Sequence, residues 1–485
     1  MKNQAATRDQ NPGLRFWTVL LIGGMLARGA MRPAPADADT PSARGARPNI
    51  IFVMVDDMGY GDLGVYGQEL IQMPYVDQMA RDGIRYTNAY SGSTVCAPAR
   101  SVLMTGQHTG HTWIRGNTGR PGGGGVPCSG GGGGMRVPLT EEDVTVAEVL
   151  KQAGYVTGIT GKWGLGEPDT TGIPNRQGFD EWFGYLNQRR AHSHYPEYIW
   201  HNEEKFVLEG NTGTRQDFVN EAHYTHDLFT DFALDFIRRH GPEDAPFFLY
   251  LPYCVPHDRF QIPELEPYAR EADWPRQAQV YASMLTRTDR DMGRIFQLLE
   301  DLEIDDQTIV FFCSDNGAAH RYDGLFDSSG PLRGRKRDLY EGGLRTVMVA
   351  RWPGTIPADE VSHDIWYFAD VLPTFAELAG VDPPEGIDGV SVLPSLLAQP
   401  QPELQTRPLY WEFHERGFQQ AARQGDWKAV RRAHDAPLEL YHLAEDIGER
   451  NNVADQHPDR VAWFNRFLRK SRTASLNWPA PIDND

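Results

Sequence analysis

The chain has 485 residues, of which 40% are hydrophobic, and a formal net charge of −19. This length indicates a large domain together with a smaller one, and the hydrophobic content suffices for a packed core. The acidic charge argues against a nucleic-acid-binding surface, which needs a basic footprint, so we expect no nucleic-acid partner. Any site for an anionic ligand must therefore be locally basic within an acidic protein.

Residues 1–47 have the order of a secretory signal peptide followed by a linker. Positive charges at Lys2, Arg8 and Arg15 precede an apolar run at residues 16–27, and a stretch rich in small residues and proline follows. The apolar run is too short to span a membrane as a helix. We therefore expect a secreted or periplasmic protein without stable membrane insertion after cleavage; a disordered N-terminus and an uncleaved anchor are the alternatives.

The first predicted strand leads into two adjacent carboxylates. Residues 48–55 form a continuous apolar run, which is typical of a parallel strand buried on both faces. Asp56 and Asp57 follow directly, and their carboxylates repel each other unless a cation or hydrogen-bond donors compensate. A hard divalent cation such as Ca²⁺ or Mg²⁺ at this end of the sheet would do so. A solvated aspartate-rich turn is the alternative for this segment alone.

Residues 93–106 place a cysteine shortly before a proline and an arginine. Pro98 suits the first turn of a helix, which would put Cys96 near the positive end of the helix dipole, where thiol pKa values fall. Arg100, one turn further along, can offer a planar guanidinium to an anion. This segment predicts a reactive side chain beside an anion site, with a buried structural cysteine as the alternative.

Two loop segments contain further candidates. Residues 187–196 place two arginines and two histidines beside aromatic residues. This composition fits substrate contact by His192 and His194, and it fits a solvated loop equally well. Residues 119–134 are mostly glycine, which predicts a flexible surface insertion.

Three cationic or titratable side chains lie at or near the ends of other predicted strands. Lys162 follows a short strand at residues 155–159 and can bind an anion oxygen, although a surface lysine is commoner. His257 follows the apolar run 246–253 and is a candidate general acid for a leaving group. Lys336, in a strongly basic loop, adds one more cation.

A second pair of oxygen ligands follows a later core strand. The strand predicted at residues 308–314 ends in Asp315 and Asn316. Together with Asp56 and Asp57 they would form a set of four oxygen-donor residues at one edge of the sheet, which is a typical ligand set for a hard metal. The two pairs together are far more specific than either pair alone.

The order of elements predicts an α/β fold, with a large mixed, mostly parallel sheet sandwiched by helices. An amphipathic helix is expected at residues 218–240. A proline-rich span at residues 394–408 marks a boundary between a large domain, residues 48–400, and a small one, residues 401–485. The small domain is predicted to be an antiparallel sheet of short strands with a covering helix.

Seven segments of the chain, in family order, resemble the formylglycine-dependent sulfatases, which are arylsulfatase-like members of the alkaline-phosphatase superfamily. The resemblance covers nearly everything after residue 47 and includes the pattern C-x-P-x-R-x4-T-G that begins at Cys96. The segments are VDDMGYGDLGVYG, CAPARSVLMTG, GKWGLG, VPH, SDNG, LRGRKRDLYEGGLR and LYHLAEDIGERNN.

The resemblance implies a hydrolase that removes sulfate from a sulfated carbohydrate or an aryl sulfate. In this family a formylglycine-generating enzyme oxidises the cysteine to formylglycine, and one hydroxyl of the aldehyde hydrate attacks sulfur. Arg100 would steady the hydrate, and His257 or Lys336 would protonate the departing alcohol. The second hydroxyl would then expel sulfate and restore the aldehyde.

Further roles follow from the same resemblance, position by position. Lys162, His257 and Lys336 would hold the sulfate and the leaving group. A divalent cation, calcium rather than magnesium, would be bound by Asp56, Asp57, modified Cys96, Asp315 and Asn316.

The chain departs from the family at Gly164, where many sulfatases have a histidine that contacts the hydrate. His192 and His194 are the nearest candidates to replace it. Two alternatives to sulfate-ester hydrolysis stay open at this point: phosphodiester or phosphonate monoester hydrolysis on the same scaffold, and a catalytically silent carbohydrate-binding relative.

Overall fold

The structure is a computed structural model that describes residues 47–131, 133–319 and 324–484. The signal peptide and almost all of the linker predicted for residues 1–47 lie outside these ranges. The described residues belong to one compact unit, Ala46–Asp485. Within them, no helix combines the length and the apolar character that crossing a bilayer requires.

The strands of the described ranges are β1 (Asn49–Val55), β2 (Ile84–Tyr90), β3 (Val126–Pro127), β4 (Met135–Arg136), β5 (Val156–Lys162), β6 (Glu181–Tyr185), β7 (Tyr198–His201), β8 (Glu204–Val207), β9 (Phe247–Pro252), β10 (Thr308–Ser314), β11 (Arg345–Thr346), β12 (Met348–Arg351), β13 (Glu360–Tyr367), β14 (Pro408–Phe413), β15 (Gln419–Gln424), β16 (Trp427–Arg431) and β17 (Glu439–His442). The α-helices are α1 (Pro74–Arg81), α2 (Cys96–Thr105), α3 (Val146–Gln152), α4 (Thr225–His240), α5 (Arg276–Asp301), α6 (Glu341–Leu344), α7 (Val371–Leu378), α8 (Leu393–Leu396) and α9 (Pro458–Lys470).

A large mixed sheet of eleven strands forms the centre of the molecule. Its middle consists of the parallel strands β10, β1, β9, β5 and β6, in that spatial order. Antiparallel pairs extend it on both sides, through β7 and β8 beyond β6 and through β12 and β2 beyond β10. β13 pairs with β2 in parallel. The predicted fold class is confirmed.

Helices cover both faces of this sheet. All seven residues of β1 are buried, and successive side chains of a strand point to opposite faces. Phe52 accordingly packs in the core that includes residues of α2, α3 and α7. Val53 packs in the core that includes residues of α1, α4 and α5. The continuous apolar run at β1 is therefore explained by burial on two sides.

The C-terminal residues form the small antiparallel sheet β14–β15–β16–β17, as predicted. Phe464 and Leu468 of α9 pack against one of its faces. Trp411 in β14 faces the opposite way and belongs to the main core. The small sheet therefore shares a hydrophobic interface with the large domain.

One local prediction was wrong. The helix expected at residues 218–240 begins only at Thr225, because the preceding residues bond to other loops: the Phe218 amide donates to the carbonyl of Phe260 (2.8 Å). The glycine-rich segment 119–134 was expected to be a flexible surface insertion. Most of its described residues are exposed, as expected of a surface insertion. The segment also contains β3, and the Ser129 amide donates to the Glu167 carboxylate (3.1 Å).

Candidate active site

The carboxyl ends of the central parallel strands bring the predicted site residues together. Ligand sites of open α/β sheets lie at this edge, because the loops that follow the parallel strands all emerge there. The side chains delivered in this way are Asp56 and Asp57 after β1, Lys162 at the end of β5, His257 after β9, and Asp315 and Asn316 after β10.

Buried cations compensate the buried carboxylates. The Lys162 ammonium donates to Asp56, and the Arg100 guanidinium donates to Asp56 (3.2 Å) and Asp315 (2.9 Å). Lys336 donates to Asp57. Burial alone would raise the pKa of Asp56, but the neighbouring cations, Lys162 foremost, hold it well below its ordinary value. Burial, with the charge of Asp56, raises the pKa of Asp315 to about 6.

Cys96 is the first residue of α2, as predicted, and lies between opposite charges. Its Sγ is 3.5 Å from Oδ1 of Asp56 and 3.5 Å from Nζ of Lys336. Burial and the Asp56 carboxylate raise the pKa of the thiol to about 12. The prediction of a lowered thiol pKa was therefore wrong, because desolvation and a nearby anion outweigh the helix dipole.

The same residues fit a divalent cation. Asp56, Asp57, Cys96 and His257 each offer a ligand atom, and these atoms lie within 4.8 Å of one another. Asn316 donates its amide group to Asp57 (2.7 Å), whereas its buried Oδ1 accepts no hydrogen bond from the described residues. A buried carbonyl oxygen without a donor is costly unless a cation satisfies it. The two carboxylates and this amide oxygen suit a hard metal.

His257 is oriented by the next residue. Its Nδ1 lies 2.7 Å from the carbonyl oxygen of Asp258, which can only accept, so Nδ1 carries a proton. Nε2 then faces Asp57, 3.4 Å from Oδ2. His257 lines the central cavity and can present Nε2 to a bound molecule there.

The structure brings His192 to the cavity but not His194. The His192 ring lies edge-on to His257, 4.5 Å between centroids, and burial with the charge of His257 lowers its pKa to about 2. His194 is fully buried, and its Nε2 lies 3.2 Å from the carbonyl oxygen of His257. It therefore lies behind His257 and contacts its backbone.

Gln188, which the sequence analysis did not single out, occupies the space beside Gly164. Gly164 has φ +84°, and a Cβ at this position would lie 2.1 Å from Nε2 of Gln188. The amide group of Gln188 is buried without a hydrogen-bond partner among the described residues, and the side chain lines the cavity. The loop at residues 187–196 thus fills the room that a side chain at 164 would need.

The cavity above Cys96 has a volume of about 580 Å³. Its inner part is lined by predicted site residues, including Cys96, Lys162, His192, His257 and Lys336. Its outer part is strongly basic. Arg335 and Arg337 belong to the basic loop around Lys336, whereas their convergence with the other arginines was not foreseen, because those come from loops that share no motif with it. The outer residues are Asn117, Thr118, Arg136, Arg189, Arg335, Arg337, Glu415 and Arg416.

Family models match almost the whole described chain. The model described as Sulfatase matches residues 48–381, and the model described as N-sulphoglucosamine sulphohydrolase, C-terminal, matches residues 334–468. The first match alone covers well over half of the chain and includes every predicted site residue.

Curated relatives and solved structures agree with these models. The chain is 34% identical to human N-acetylgalactosamine-6-sulfatase over 90% of both chains. It is 32% identical to human arylsulfatase A over 84% of this chain and 83% of that protein. Its fold is similar to that of Ps i-CgsB in complex with k-i-k-neocarrahexaose, with a TM-score of 0.74 and 26% identity over 87% of this chain and 92% of the other.

These matches extend over both the large and the small sheet and run through the cluster of carboxylates, lysines and Cys96 at the strand ends. The chain belongs to the sulfatase family and is a hydrolase of sulfate esters.

Proposed function

We propose that the protein removes sulfate from a sulfated carbohydrate or an aryl sulfate through a formylglycine formed from Cys96 by a formylglycine-generating enzyme. The observation that carries this proposal is the position of Cys96, buried at the start of α2 between Asp56 and Lys336 and open to the cavity. Because burial keeps the thiol protonated near neutral pH, unmodified Cys96 is a poor nucleophile. The hydrated aldehyde would supply the hydroxyl nucleophile that attacks sulfur.

Lys162 and Lys336 would bind the sulfuryl oxygens. Both are buried, line the cavity and flank Cys96, and neighbouring carboxylates raise the pKa of each against the effect of burial. They therefore stay charged over the whole working pH range. Fixed positive charge in a partly dehydrated cavity stabilises the negative charge that develops on these oxygens.

His257 would protonate the leaving alcohol. The Asp258 carbonyl holds the Nδ1 proton, so a second proton on Nε2 points into the cavity. Lys336 is the other candidate acid. We further propose that His192 contacts the substrate beside His257, whereas His194 serves to position His257 through its backbone.

Asp56, Asp57, modified Cys96, Asp315 and Asn316 would hold a divalent cation, for which we propose calcium. The unsatisfied Oδ1 of Asn316 and the clustering of Asp56 with Asp57 support this assignment. When bound, the ion would add positive charge beside the nucleophile and the sulfuryl oxygens. Arg100 would keep Asp56 and Asp315 in place, since it bonds to both.

The substrate class follows from the relatives, among them an N-acetylgalactosamine-6-sulfatase and a structure in complex with a neocarrahexaose. A sulfated sugar is therefore the favoured substrate.

The order of the N-terminal residues supports secretion or export to the periplasm. We propose that residues 401–485 act as a separate small subdomain that supports the site.

The test is mass spectrometry of the peptide that carries Cys96, from protein co-expressed with a formylglycine-generating enzyme. We expect the aldehyde mass together with hydrolysis of 4-nitrophenyl sulfate, and loss of that activity by at least about a thousandfold in Cys96→Ala. Assay of a phosphonate monoester in parallel should show weaker hydrolysis. Full activity of a protein that carries only the unmodified thiol, or of Cys96→Ala, would refute the proposal.

A further inference from the structure

The cavity that contains Cys96 has the opposite charge balance from the rest of the protein. Seven Lys or Arg side chains and three carboxylates line it, whereas the whole chain has a formal net charge of −19. A locally basic cleft in an acidic protein concentrates anions. The lining cations are Arg136, Lys162, Arg189, Arg335, Lys336, Arg337 and Arg416.

Most of these cations are engaged by the protein itself. Lys162 and Lys336 bond to the aspartates of the site. Arg337 pairs with Glu415 (3.0 Å), and Arg416 pairs with Asp338 (3.3 Å). Arg136 donates to the carbonyl of Asn117 and lies 3.3 Å from the hydroxyl of Thr118. These contacts fix the side chains, and the carboxylates partly neutralise the charges of Lys162, Lys336, Arg337 and Arg416.

Arg189 differs, because its guanidinium makes no hydrogen bond or ion pair with the described parts of the chain. Its Nε is buried and has no acceptor there, although the side chain lines the cavity. Arg190, the next residue, pairs with Glu197 (3.0 Å), stacks on Tyr198 and lines a different cavity. The two adjacent arginines therefore have different surroundings: Arg190 has a carboxylate partner, whereas the Arg189 guanidinium has none among the described residues.

Other positive charges surround this position. Burial and three neighbouring arginines, Arg189 among them, lower the pKa of Arg215. Two of the neighbours have carboxylate partners, Arg190 with Glu197 and Arg259 with Asp258. A buried donor group without an acceptor, in a region of excess positive charge, is unfavourable unless a ligand supplies an anion.

We propose that Arg189 binds a second anionic group of the substrate, so that the enzyme prefers sulfated sugars that carry another sulfate or a carboxylate. The inference rests on the proposed function, because it places the cleaved ester at Cys96 in the same cavity. A guanidinium suits either anion, since its parallel N–H groups match both in a bidentate arrangement. Arg189 would thus determine specificity and affinity without touching the reacting atoms.

The test measures binding in the Cys96→Ala background with calcium present, so that its result does not depend on formylglycine or turnover. The probes are N-acetylgalactosamine 6-sulfate, its 4,6-disulfate, and a disaccharide that joins the 6-sulfate to a uronic acid. We expect at least one doubly anionic probe to bind about tenfold or more tightly than the monosulfate by calorimetry. Adding Arg189→Gln should abolish this preference and change monosulfate affinity by less than about twofold.

Arg190→Gln is the matched control, because it removes the same charge from the neighbouring residue and should leave the preference intact. Arg189→Lys should retain part of it, since the charge stays and the bidentate geometry is lost. The inference would be overturned if all probes bound equally well, or if Arg189→Gln weakened the binding of the monosulfate and of the doubly anionic probes to the same extent. Loss of the preference in Arg190→Gln as well would also overturn it. Hydrolysis of 4-nitrophenyl sulfate by the modified wild type tests the proposed function separately.

Discussion

At the residue scale, the site depends on the balance of charges that are almost completely removed from water. Asp56, Asp315 and Asn316 have no exposed surface, and Arg100 lies between the two aspartates. Buried ion pairs tolerate the loss of one partner poorly, because the remaining charge keeps its desolvation cost. The Oδ1 atom of Asn316 accepts no hydrogen bond from the described residues, so it is the part of this arrangement that they leave incomplete.

We therefore expect calcium to stabilise the wild-type protein through this oxygen. The free energy of unfolding should rise by about 2.7 kcal/mol at a hundredfold excess of calcium over Kd, so the thermal midpoint should rise with calcium concentration and fall after chelation. In Asn316→Ala most of this calcium-dependent rise should disappear, as measured by differential scanning fluorimetry. Asn88→Ala, which removes an amide that bonds to His363 and Arg423 and to no residue of the site, should keep it. A midpoint insensitive to calcium in the wild type would contradict the assignment.

At the element scale, helices are joined to each other by buried carboxylates as well as by apolar contacts. Asp289 in α5 is buried and accepts a hydrogen bond from the Val76 amide in the first turn of α1 (2.8 Å). Burial raises the pKa of Asp289 from 3.8 to about 7, although hydrogen bonds from the backbone amides of Val76 and Tyr75 oppose the shift. The folded state thus binds a proton here that the unfolded chain releases near pH 4.

The contribution of Asp289 to stability should consequently fall as the pH rises from about 4 to about 7, and the loss should be complete above that range. Asp289→Asn imitates the protonated carboxyl and lacks this dependence. The difference between the free energies of unfolding of the variant and of the wild type should therefore shift in favour of the variant between pH 5 and pH 8, by an amount on the order of 2–3 kcal/mol. Urea titrations at both pH values measure this.

Asp235→Asn serves as the control, because Asp235 is exposed on α4 and its substitution should not alter the pH dependence. If Asp289→Asn lost as much stability as the wild type between the two pH values, Asp289 would not be the protonated group.

At the scale of the whole molecule, the small C-terminal sheet supports the loop that carries Lys336. Lys428 of β16 is fully buried and donates to Glu341 of α6 (2.8 Å), a few residues after Lys336. Its Nζ also lies 3.6 Å from Oε1 of Glu449. The other carboxylate oxygen of Glu449, Oε2, accepts a hydrogen bond from the backbone amide of Glu341 (2.7 Å). Burial raises the pKa of Glu449 to about 7, whereas Lys428 lowers that of Glu341 to about 2 despite burial.

Lys428→Met should destabilise the protein by about 3–5 kcal/mol near neutral pH, because it removes the buried cation between two buried glutamates, of which Glu341 keeps its contact with Arg345 (3.4 Å). The loss should be smaller near pH 5, where Glu449 is protonated in the folded state. Guanidinium unfolding at the two pH values tests both statements. Lys470→Met, at the exposed end of α9, should change stability by less than about 0.5 kcal/mol. Similar small losses for both variants would argue against a supporting role for the small sheet.

The sequence by itself determined the features that depend on local pattern. The apolar runs at β1 and β10, the start of α2 at Cys96 and the polar residues after each strand were all predictable, because burial on two faces and helix capping leave a signature over a few consecutive residues. Parallel pairing then made the convergence of Asp56, Asp57, Asp315 and Asn316 a consequence of strand order.

Only the tertiary structure decided properties that arise between distant segments. It set the pKa of Cys96, separated His192 from the buried His194 and placed Gln188 over Gly164. It also left the Arg189 guanidinium without a partner among the described residues, beside the paired Arg190. Each of these properties depends on desolvation or on contacts between residues that are distant in the chain and share no local motif. Such desolvation and such contacts arise only when the surrounding elements have packed.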